Sequence, residues 1–209
     1  MIIKICGIQS EDTLICCDKN KINFFGMIFY SKSPRNISIR RASILQNLAK
    51  DLNINGVGVF VDKNLIEIEE IIKRIDLKFI QLHGSEDDNY IKTLKKIGVK
   101  IIKKISVSHI NDLRKIHDYN SADYLLFDYK PQEYELPGGN AKSFDWNILK
   151  KLDTNKPWFL SGGINTNNIK QIINEINPFG IDLSSGVEKE LGIKDNHIIN
   201  NFIGKLKNA

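Results

Sequence analysis

Short apolar runs alternate with longer amphipathic segments along the whole chain. Each run is rich in Ile, Val, Leu or Phe and is bounded by Gly, Ser, Asp or Asn, a pattern typical of a strand that is buried on both faces. The predicted strands are residues 2–6, 24–29, 56–61, 79–82, 101–105, 124–128, 158–160 and 181–183.

The segments between these runs show helical periodicity. In 39–52 the apolar residues follow the i, i+3, i+4, i+7 spacing of one helix face, and 65–75 and 169–176 show the same spacing. Two of these segments are preceded by residues that are predicted to start helices, namely Ser85 and the run Asn165-Thr166-Asn167. Their side chains can accept hydrogen bonds from free backbone N–H groups.

About eight strand–helix units at a mean spacing of roughly 25 residues predict an α/β fold, a single-domain (β/α)8 barrel over residues 1–209. A doubly wound open sheet is the alternative. That architecture usually has fewer strands and a Gly-rich turn after the first one. No linker or low-complexity run divides the chain.

In such a barrel, function belongs to the carboxyl ends of the strands and the loops after them. Polar residues at these ends form the candidate set: Cys6, the segment 29–35, Asp62, His83, Ser106, Asp128, Ser161 and Asp182. His83 either lines the pocket or holds a loop by a hydrogen bond.

The first strand carries an unusual lysine and ends in a cysteine. Strand alternation places Ile2, Lys4 and Cys6 on one side, which we expect to face the barrel interior. A lysine ammonium near Cys6 would favour its thiolate, and Gly7 would let the next loop approach a ligand. The alternative is that Cys6 is a small core residue.

A carboxyl group and three Gly- or Ser-rich loops follow the later strands. Asp128 ends an apolar strand, so it either serves a site or caps a loop.

Phosphate commonly binds backbone N–H groups between the loops after strands 7 and 8 of these barrels. The candidate phosphate-binding residues in these two loops are Gly162, Gly163, Ser184, Ser185 and Gly186.

Composition and charge narrow the class of protein. The net charge of +5 comes from basic residues interspersed with acidic ones, which predicts a solvated surface and no nucleic-acid partner. Three cysteines, two of them adjacent, form neither a disulfide framework nor a metal spacing. Without an apolar run of membrane-spanning length or a signal-peptide pattern, we expect a cytoplasmic protein with no membrane association.

The motifs together resemble one enzyme family. The stretches KICGI, SPRNIS, GVGVFV, IQLHG, LLFD, GGNAKSFDW, LSGGI and GIDLSSGVE, followed by GIKD, are similar in order and spacing to phosphoribosylanthranilate isomerases of tryptophan biosynthesis. The similarity runs from residue 2 to about residue 203.

This resemblance implies an aldose–ketose isomerase that uses neither metal nor organic cofactor. The implied reaction is the Amadori rearrangement of N-(5'-phosphoribosyl)anthranilate to 1-(o-carboxyphenylamino)-1-deoxyribulose 5-phosphate. Cys6 would be the general base, Asp128 the general acid, and Arg35 the partner of the anthranilate carboxylate. Asp182 would lie near the sugar. The backbone of Gly139 and of the Gly and Ser residues named above would bind the phosphate.

One position departs from the family pattern. The loop after strand 6 usually reads Gly-Gly-Thr/Ser-Gly, whereas this chain has Asn140-Ala141-Lys142 after Gly139. Ala141 cannot freely adopt a positive φ, so we expect an effect on loop closure and on KM or turnover.

Two other functions remain open from the residues alone. One is another sugar-phosphate isomerase barrel, although those typically use two aspartates and a duplicated half-barrel. The other is a non-catalytic barrel that acts as a binding module. The sequence is equally compatible with a monomer and with a homodimer.

Overall fold

Eight parallel strands follow one another in chain order around a closed barrel, and β8 pairs with β1. The computed structural model describes residues 1–208; residue 209, the last of the predicted domain, lies outside this range. The strands are β1 (Ile2–Cys6), β2 (Phe24–Ile28), β3 (Asn55–Phe60), β4 (Phe79–Leu82), β5 (Lys100–Val107), β6 (Tyr124–Tyr129), β7 (Trp158–Leu160) and β8 (Gly180–Leu183). The predicted (β/α)8 barrel is confirmed, and closure excludes the open sheet.

Helices cover the outside of the barrel. They are α1 (Glu11–Lys19), α2 (Ile39–Asp51), α3 (Leu65–Ile75), α4 (Asp88–Lys95), α5 (Ile169–Gln171) and α6 (Asn196–Lys207). Short 3₁₀ helices at Ile110–Asp118 and Trp146–Lys151 replace α-helices after β5 and β6. The predicted helix 169–176 is α-helical only in α5 and continues as a π-helical turn, Ile172–Ile176.

The cap residues of two helices differ from the predicted ones, although α5 begins at Ile169 as predicted. The fourth helix is capped by Asp87, whose side chain accepts from the Tyr90 N–H at 2.8 Å. Ser85 instead donates its hydroxyl to Asp62. Before α5, Asn165 accepts from the Asn167 N–H within the preceding turn, and α5 begins after Asn168.

The barrel interior is divided between an apolar end and a polar end. Near the amino ends of the strands the interior is filled by the cluster Phe24, Val57, Ile102, Leu126 and Phe159. This cluster is separate from the larger core between strands and helices. Because this apolar cluster fills the interior at one end, the polar side chains that face inward lie toward the carboxyl ends of the strands.

A small hairpin after β8 has no counterpart in the sequence-based prediction. A 3₁₀ turn, Ser185–Val187, leads into β9 (Glu188–Glu190), which pairs antiparallel with β10 (Ile193–Lys194). Gly192, with φ +87°, makes the turn between them. This hairpin places Glu188 and Lys194 at the carboxyl end of the barrel, where they contact Arg35 and Ser184.

The three cysteines are free thiols, and Cys16 and Cys17 lie in α1. Within residues 1–208, no helix combines the length and the hydrophobicity that a membrane span requires.

Candidate active site

A cavity of about 520 Å³ opens at the carboxyl ends of the strands. Among its lining residues are side chains from five separate parts of the chain that the sequence marked as functional: Cys6, Arg35, His83, Asp128 and Asp182. A second cavity of about 370 Å³ shares Asp128, Gly139 and Asp182 with it and extends between the loops after β6, β7 and β8.

Lys4 lies directly below Cys6 and is fully buried. Its Nζ donates to Asp182 Oδ2 at 2.9 Å, across the register pair that joins β1 to β8. The other oxygen of this carboxylate, Oδ1, is buried without a hydrogen-bond partner in the described residues. The pair therefore leaves one acceptor available at the cavity wall, where Asp182 is a lining residue.

The expected activation of the Cys6 thiol by Lys4 is outweighed by burial. Desolvation raises the pKa of Cys6 above its ordinary value of 9.0, while the charges of Lys4 and Lys194 act in the opposite direction. The ammonium of Lys4 is also shared with Asp182, whose negative charge raises the pKa of Cys6 further. The free protein consequently holds Cys6 as a thiol at neutral pH.

The carboxyl group of Asp128 is oriented by the backbone of the next residue and lies opposite a histidine. Its Oδ1 accepts from the Tyr129 N–H at 2.8 Å, and its Oδ2 lies 3.5 Å from His83 Nε2. Gln81 Nε2 lies 2.8 Å from His83 Nδ1, so that Nδ1 accepts and the ring proton is on Nε2, toward Asp128. Burial lowers the pKa of His83, which favours this neutral ring. His83 lines the cavity and belongs to the site.

Arg35 is held by a carboxylate from the hairpin after β8. Its Nε and Nη2 donate to the two oxygens of Glu188 at 2.7 and 2.8 Å, and Nη2 also donates to the Gly139 carbonyl at 3.3 Å. Lys194 Nζ donates to Glu188 at 2.5 Å. The two cations lower the pKa of Glu188 to about 2, which keeps it ionised.

This bidentate pair fixes the guanidinium plane and leaves Nη1 without a protein acceptor in residues 1–208. Two glycines make room for it. A Cβ at Gly7, where φ is +84°, would lie 2.8 Å from Arg35 Cδ, and one at Gly139 would lie 2.4 Å from Nη1. Gly7 therefore serves the passage of Arg35, in addition to the close approach expected from the sequence.

Backbone from three loops surrounds the second cavity. Its lining residues include most of the predicted phosphate-binding set, namely Gly139, Gly162, Gly163, Ser184 and Ser185. Gly162 and Gly163 both have positive φ, 88° and 72°. The predicted residue Gly186 lies outside this lining, because its Cα packs so closely on the Ile164 carbonyl that a Cβ would lie 1.9 Å away.

Ala141 adopts the left-handed backbone that the sequence marked as difficult for alanine. Its φ is +57°, and it lines the second cavity next to Asn140. Asn140 donates its side-chain amide to the Leu136 carbonyl at 2.8 Å and so braces the loop. The loop keeps its conformation at the cost of strain at one residue, of order 1–2 kcal/mol.

Sequence reasoning missed four residues near the site: Gln81, Lys104, Glu188 and Lys194. Glu188 and Lys194 stand in the stretches GIDLSSGVE and GIKD, which carried the family resemblance without a role for either charge. Strand parity could have found Gln81 and Lys104, since each lies two residues before a candidate polar residue, His83 and Ser106.

Comparisons with known proteins show similarity along almost the whole chain. The family model for N-(5'phosphoribosyl)anthranilate (PRA) isomerase matches residues 3–205. The N-(5'-phosphoribosyl)anthranilate isomerase of Paramagnetospirillum magneticum is 37% identical over 204 residues, which cover 96% of this chain and 94% of the relative.

Solved structures of phosphoribosyl anthranilate isomerases share the whole fold of this chain. The phosphoribosyl anthranilate isomerase from Thermotoga maritima superposes with a TM-score of 0.89 at 32% identity, with all of both chains covered. Another phosphoribosyl anthranilate isomerase, in complex with reduced 1-(o-carboxyphenylamino)-1-deoxyribulose 5-phosphate, gives a TM-score of 0.83 at 28% identity, again over both whole chains. This chain therefore belongs to the N-(5'-phosphoribosyl)anthranilate isomerase family, the isomerases of tryptophan biosynthesis.

Proposed function

We propose that the chain rearranges N-(5'-phosphoribosyl)anthranilate with Asp128 as general acid and Cys6 as general base. The observation that carries this assignment is their placement: β1 and β6 bring the thiol and the carboxyl group to one cavity, which also holds Arg35. An isomerisation of this kind needs one proton donor and one proton acceptor at a small sugar, held in place together.

The cavity offers a separate place for each part of the substrate. The anthranilate ring fits against the apolar wall formed by Ile28, Val59, Val61, Leu136 and Pro137. Its carboxylate meets Nη1 of Arg35, which Glu188 leaves free. The phosphate fits the backbone cradle of the second cavity.

The ribose then lies between these two places. Asp182 Oδ1, buried and without a partner in residues 1–208, is a ready acceptor for a sugar hydroxyl. The relative that was solved with a reduced deoxyribulose phosphate product holds a ligand with the same three parts, an aromatic carboxylate, a sugar and a phosphate. Lys4 contributes by holding Asp182 in place.

Two proton transfers by these residues lead to the enolamine form of the product. Asp128 gives its proton to the ring oxygen, the C1'–O bond breaks, and the opened sugar becomes a protonated Schiff base. Cys6 removes the proton from C2', which gives the enolamine that tautomerises to the ketone. Cys6 must first lose its thiol proton to solvent before it can act as the base. The positive charge of the Schiff base favours this ionisation, whereas burial opposes it in the free protein.

The loss of fluorescence of freshly made phosphoribosylanthranilate tests this function. We expect turnover by the wild type and a loss of about 10²–10⁴-fold in kcat for Cys6→Ala and for Asp128→Asn. The matched control is Cys17→Ala, which removes the same thiol from α1, away from the cavity. An inactive wild type contradicts the function, and full turnover in either variant contradicts the role of that residue.

The substrate is a small phosphorylated molecule. A cytoplasmic location, a monomeric or homodimeric state and the lack of a nucleic-acid partner stay predictions from the sequence. Sedimentation equilibrium of the purified chain distinguishes monomer from dimer.

A further inference from the structure

Lys194 is a buried lysine next to Glu188, the carboxylate that holds Arg35. The two residues are register partners in the hairpin after β8, so that β9 and β10 place their side chains side by side. Only 2% of the Lys194 side chain and 4% of the Glu188 side chain are exposed. Lys194 stays outside the lining of both cavities, whereas Arg35 lines the first. It can therefore act on a substrate only through the residues that it contacts.

The Nζ atom of Lys194 has three oxygen acceptors, as many as an ammonium group has protons. It donates to Glu188 Oε1 at 2.5 Å and to the carbonyl and hydroxyl oxygens of Ser184, both at 3.2 Å. The Ser184 hydroxyl gives its own proton to the Cys6 carbonyl at 3.2 Å, so it accepts from Lys194. Burial lowers the pKa of Lys194, and the negative charge of Glu188 opposes this change. The three contacts are those of a charged ammonium.

The carboxylate of Glu188 is fully occupied by four donors. Arg35 supplies Nε and Nη2, Lys194 supplies Nζ, and the Gly192 N–H lies 3.1 Å from Oε2. Each oxygen thus accepts two hydrogen bonds, which is the full capacity of an ionised carboxylate. Glu188 has no acceptor site left for a ligand and serves the cavity only through Arg35.

Glu188 fixes the guanidinium of Arg35 in place, but it also cancels the charge of this group. The pair of Arg35 and Glu188 alone is neutral and would attract an anion only weakly. Lys194 adds a second cation, so that two positive charges and one negative charge leave the cluster of Arg35, Glu188 and Lys194 with a net charge of +1. A ligand meets this charge at Nη1 of Arg35, which has no protein acceptor in residues 1–208.

We propose that Lys194 is a positioning residue that determines specificity for a carboxylate-bearing substrate, because it offsets the charge of Glu188 and so lets Arg35 be held in place and still attract an anion. This inference rests on the proposed function, in which the anthranilate carboxylate meets Nη1 of Arg35. Lys194 touches neither the substrate nor the reacting atoms. Without it, Arg35 would keep its hydrogen bonds to Glu188 but lose most of its net attraction for the carboxylate.

Two ligands that differ by one carboxylate test this role. The first is reduced 1-(o-carboxyphenylamino)-1-deoxyribulose 5-phosphate, the ligand of a solved relative, and the second is its phenylamino analogue without the carboxylate. Isothermal titration calorimetry gives the Kd of each. We expect Lys194→Met to weaken binding of the first ligand about tenfold, the usual difference between a charge-assisted and a neutral hydrogen bond. Binding of the second ligand should change much less.

The matched control is Lys189→Met, which removes the same charge from an exposed position of the same hairpin. It should leave the ratio of the two Kd values unchanged. If Lys194→Met does not fold, Lys194→Gln supplies the neutral side chain instead. Binding is measured in place of turnover because the charge of Lys194 also favours the Cys6 thiolate. An equal loss for both ligands, or no loss for either, overturns the proposal.

A double variant separates the charge of Lys194 from its place in the fold. Glu188→Gln combined with Lys194→Met removes one charge of each sign, so that the remaining cation, Arg35, keeps the net charge at +1. We expect the double variant to recover the preference for the first ligand that Lys194→Met loses. A double variant with the same Kd ratio as Lys194→Met also overturns the proposal.

Failure of this inference can be told apart from failure of the proposed function. A wild type that prefers the first ligand, loses this preference in Lys194→Met and yet shows no turnover contradicts only the proposed function. An active wild type whose preference is the same in Lys194→Met contradicts only the role of Lys194.

Discussion

Lys4 and Asp182 form an ion pair inside the barrel, with 2.9 Å between Nζ and Oδ2 and almost no exposure of either side chain. They are register partners on β1 and β8, so the pair ties the first strand to the last at the point of closure. Because Lys4 is committed to Asp182, its charge only partly offsets the burial of Cys6. One contact thus links barrel closure, a free carboxylate oxygen and the protonation of the thiol.

Removing one member of this pair should destabilise the barrel. We expect Lys4→Met to lower the free energy of unfolding by about 3–5 kcal/mol, because the carboxylate of Asp182 is left buried without its partner. Urea denaturation followed by circular dichroism measures the change. Lys63→Met, which breaks an exposed pair with Glu67, is the control and should change stability little. A cost no larger than the control's contradicts a structural role for the pair.

The reactivity of Cys6 should follow its raised pKa. In a Cys16→Ala/Cys17→Ala background, the rate of alkylation by iodoacetamide should reach half of its maximum above pH 9.0, because the thiol stays protonated below its raised pKa. Lys4→Met should move the midpoint higher still, since Lys4 favours the thiolate. Cys6→Ala gives the background rate. A midpoint below 9.0 would show that the lysine charges outweigh burial.

Glu188 should make the free energy of unfolding depend on pH in the acidic range. Its pKa falls from 4.5 to about 2 in the folded protein, so its contribution is complete above 4.5 and disappears as the pH falls toward 2. At 1.36 kcal/mol for each pH unit, this contribution is at most about 3 kcal/mol. We expect Glu188→Gln to be less stable at neutral pH and to lose this step in a series of urea melts from pH 6 to 2. Glu175→Gln, at an exposed pair, should retain the wild-type step.

Glycine at position 141 should give a more stable protein than the alanine that stands there. Since its φ is +57°, Ala141→Gly removes the steric strain and should raise the free energy of unfolding by roughly 0.5–1 kcal/mol. The same change at the buried Ala49, in the last turn of α2, should lower it by about 1 kcal/mol. Steady-state kinetics of Ala141→Gly then measures whether the strain also affects KM. Equal losses at both positions would contradict strain at Ala141.

Much of the fold could be predicted because a parallel barrel buries both faces of every strand. β1, β4 and β7 have the predicted bounds, since continuous apolar runs with polar ends leave little freedom in placing them. Parity alone placed Lys4 and Cys6 on the inner face. The cap of α4 was misplaced because several polar residues stand next to one another before this helix. Only the tertiary contacts of Ser85 and Glu86 with Asp62, in the loop after β3, leave the capping to Asp87.

By itself, the sequence determined the order of strands, the inner face of β1 and the positions where chemistry could occur, because these follow from local hydrophobic periodicity. Only the tertiary structure decided which charges pair. Glu188 pairs with Arg35 across 153 positions of the sequence, and Asp182 pairs with Lys4 across 178. Ion pairing and burial depend on distances through space, so the raised pKa of Cys6 follows from the closed barrel and not from the lysine two residues before it.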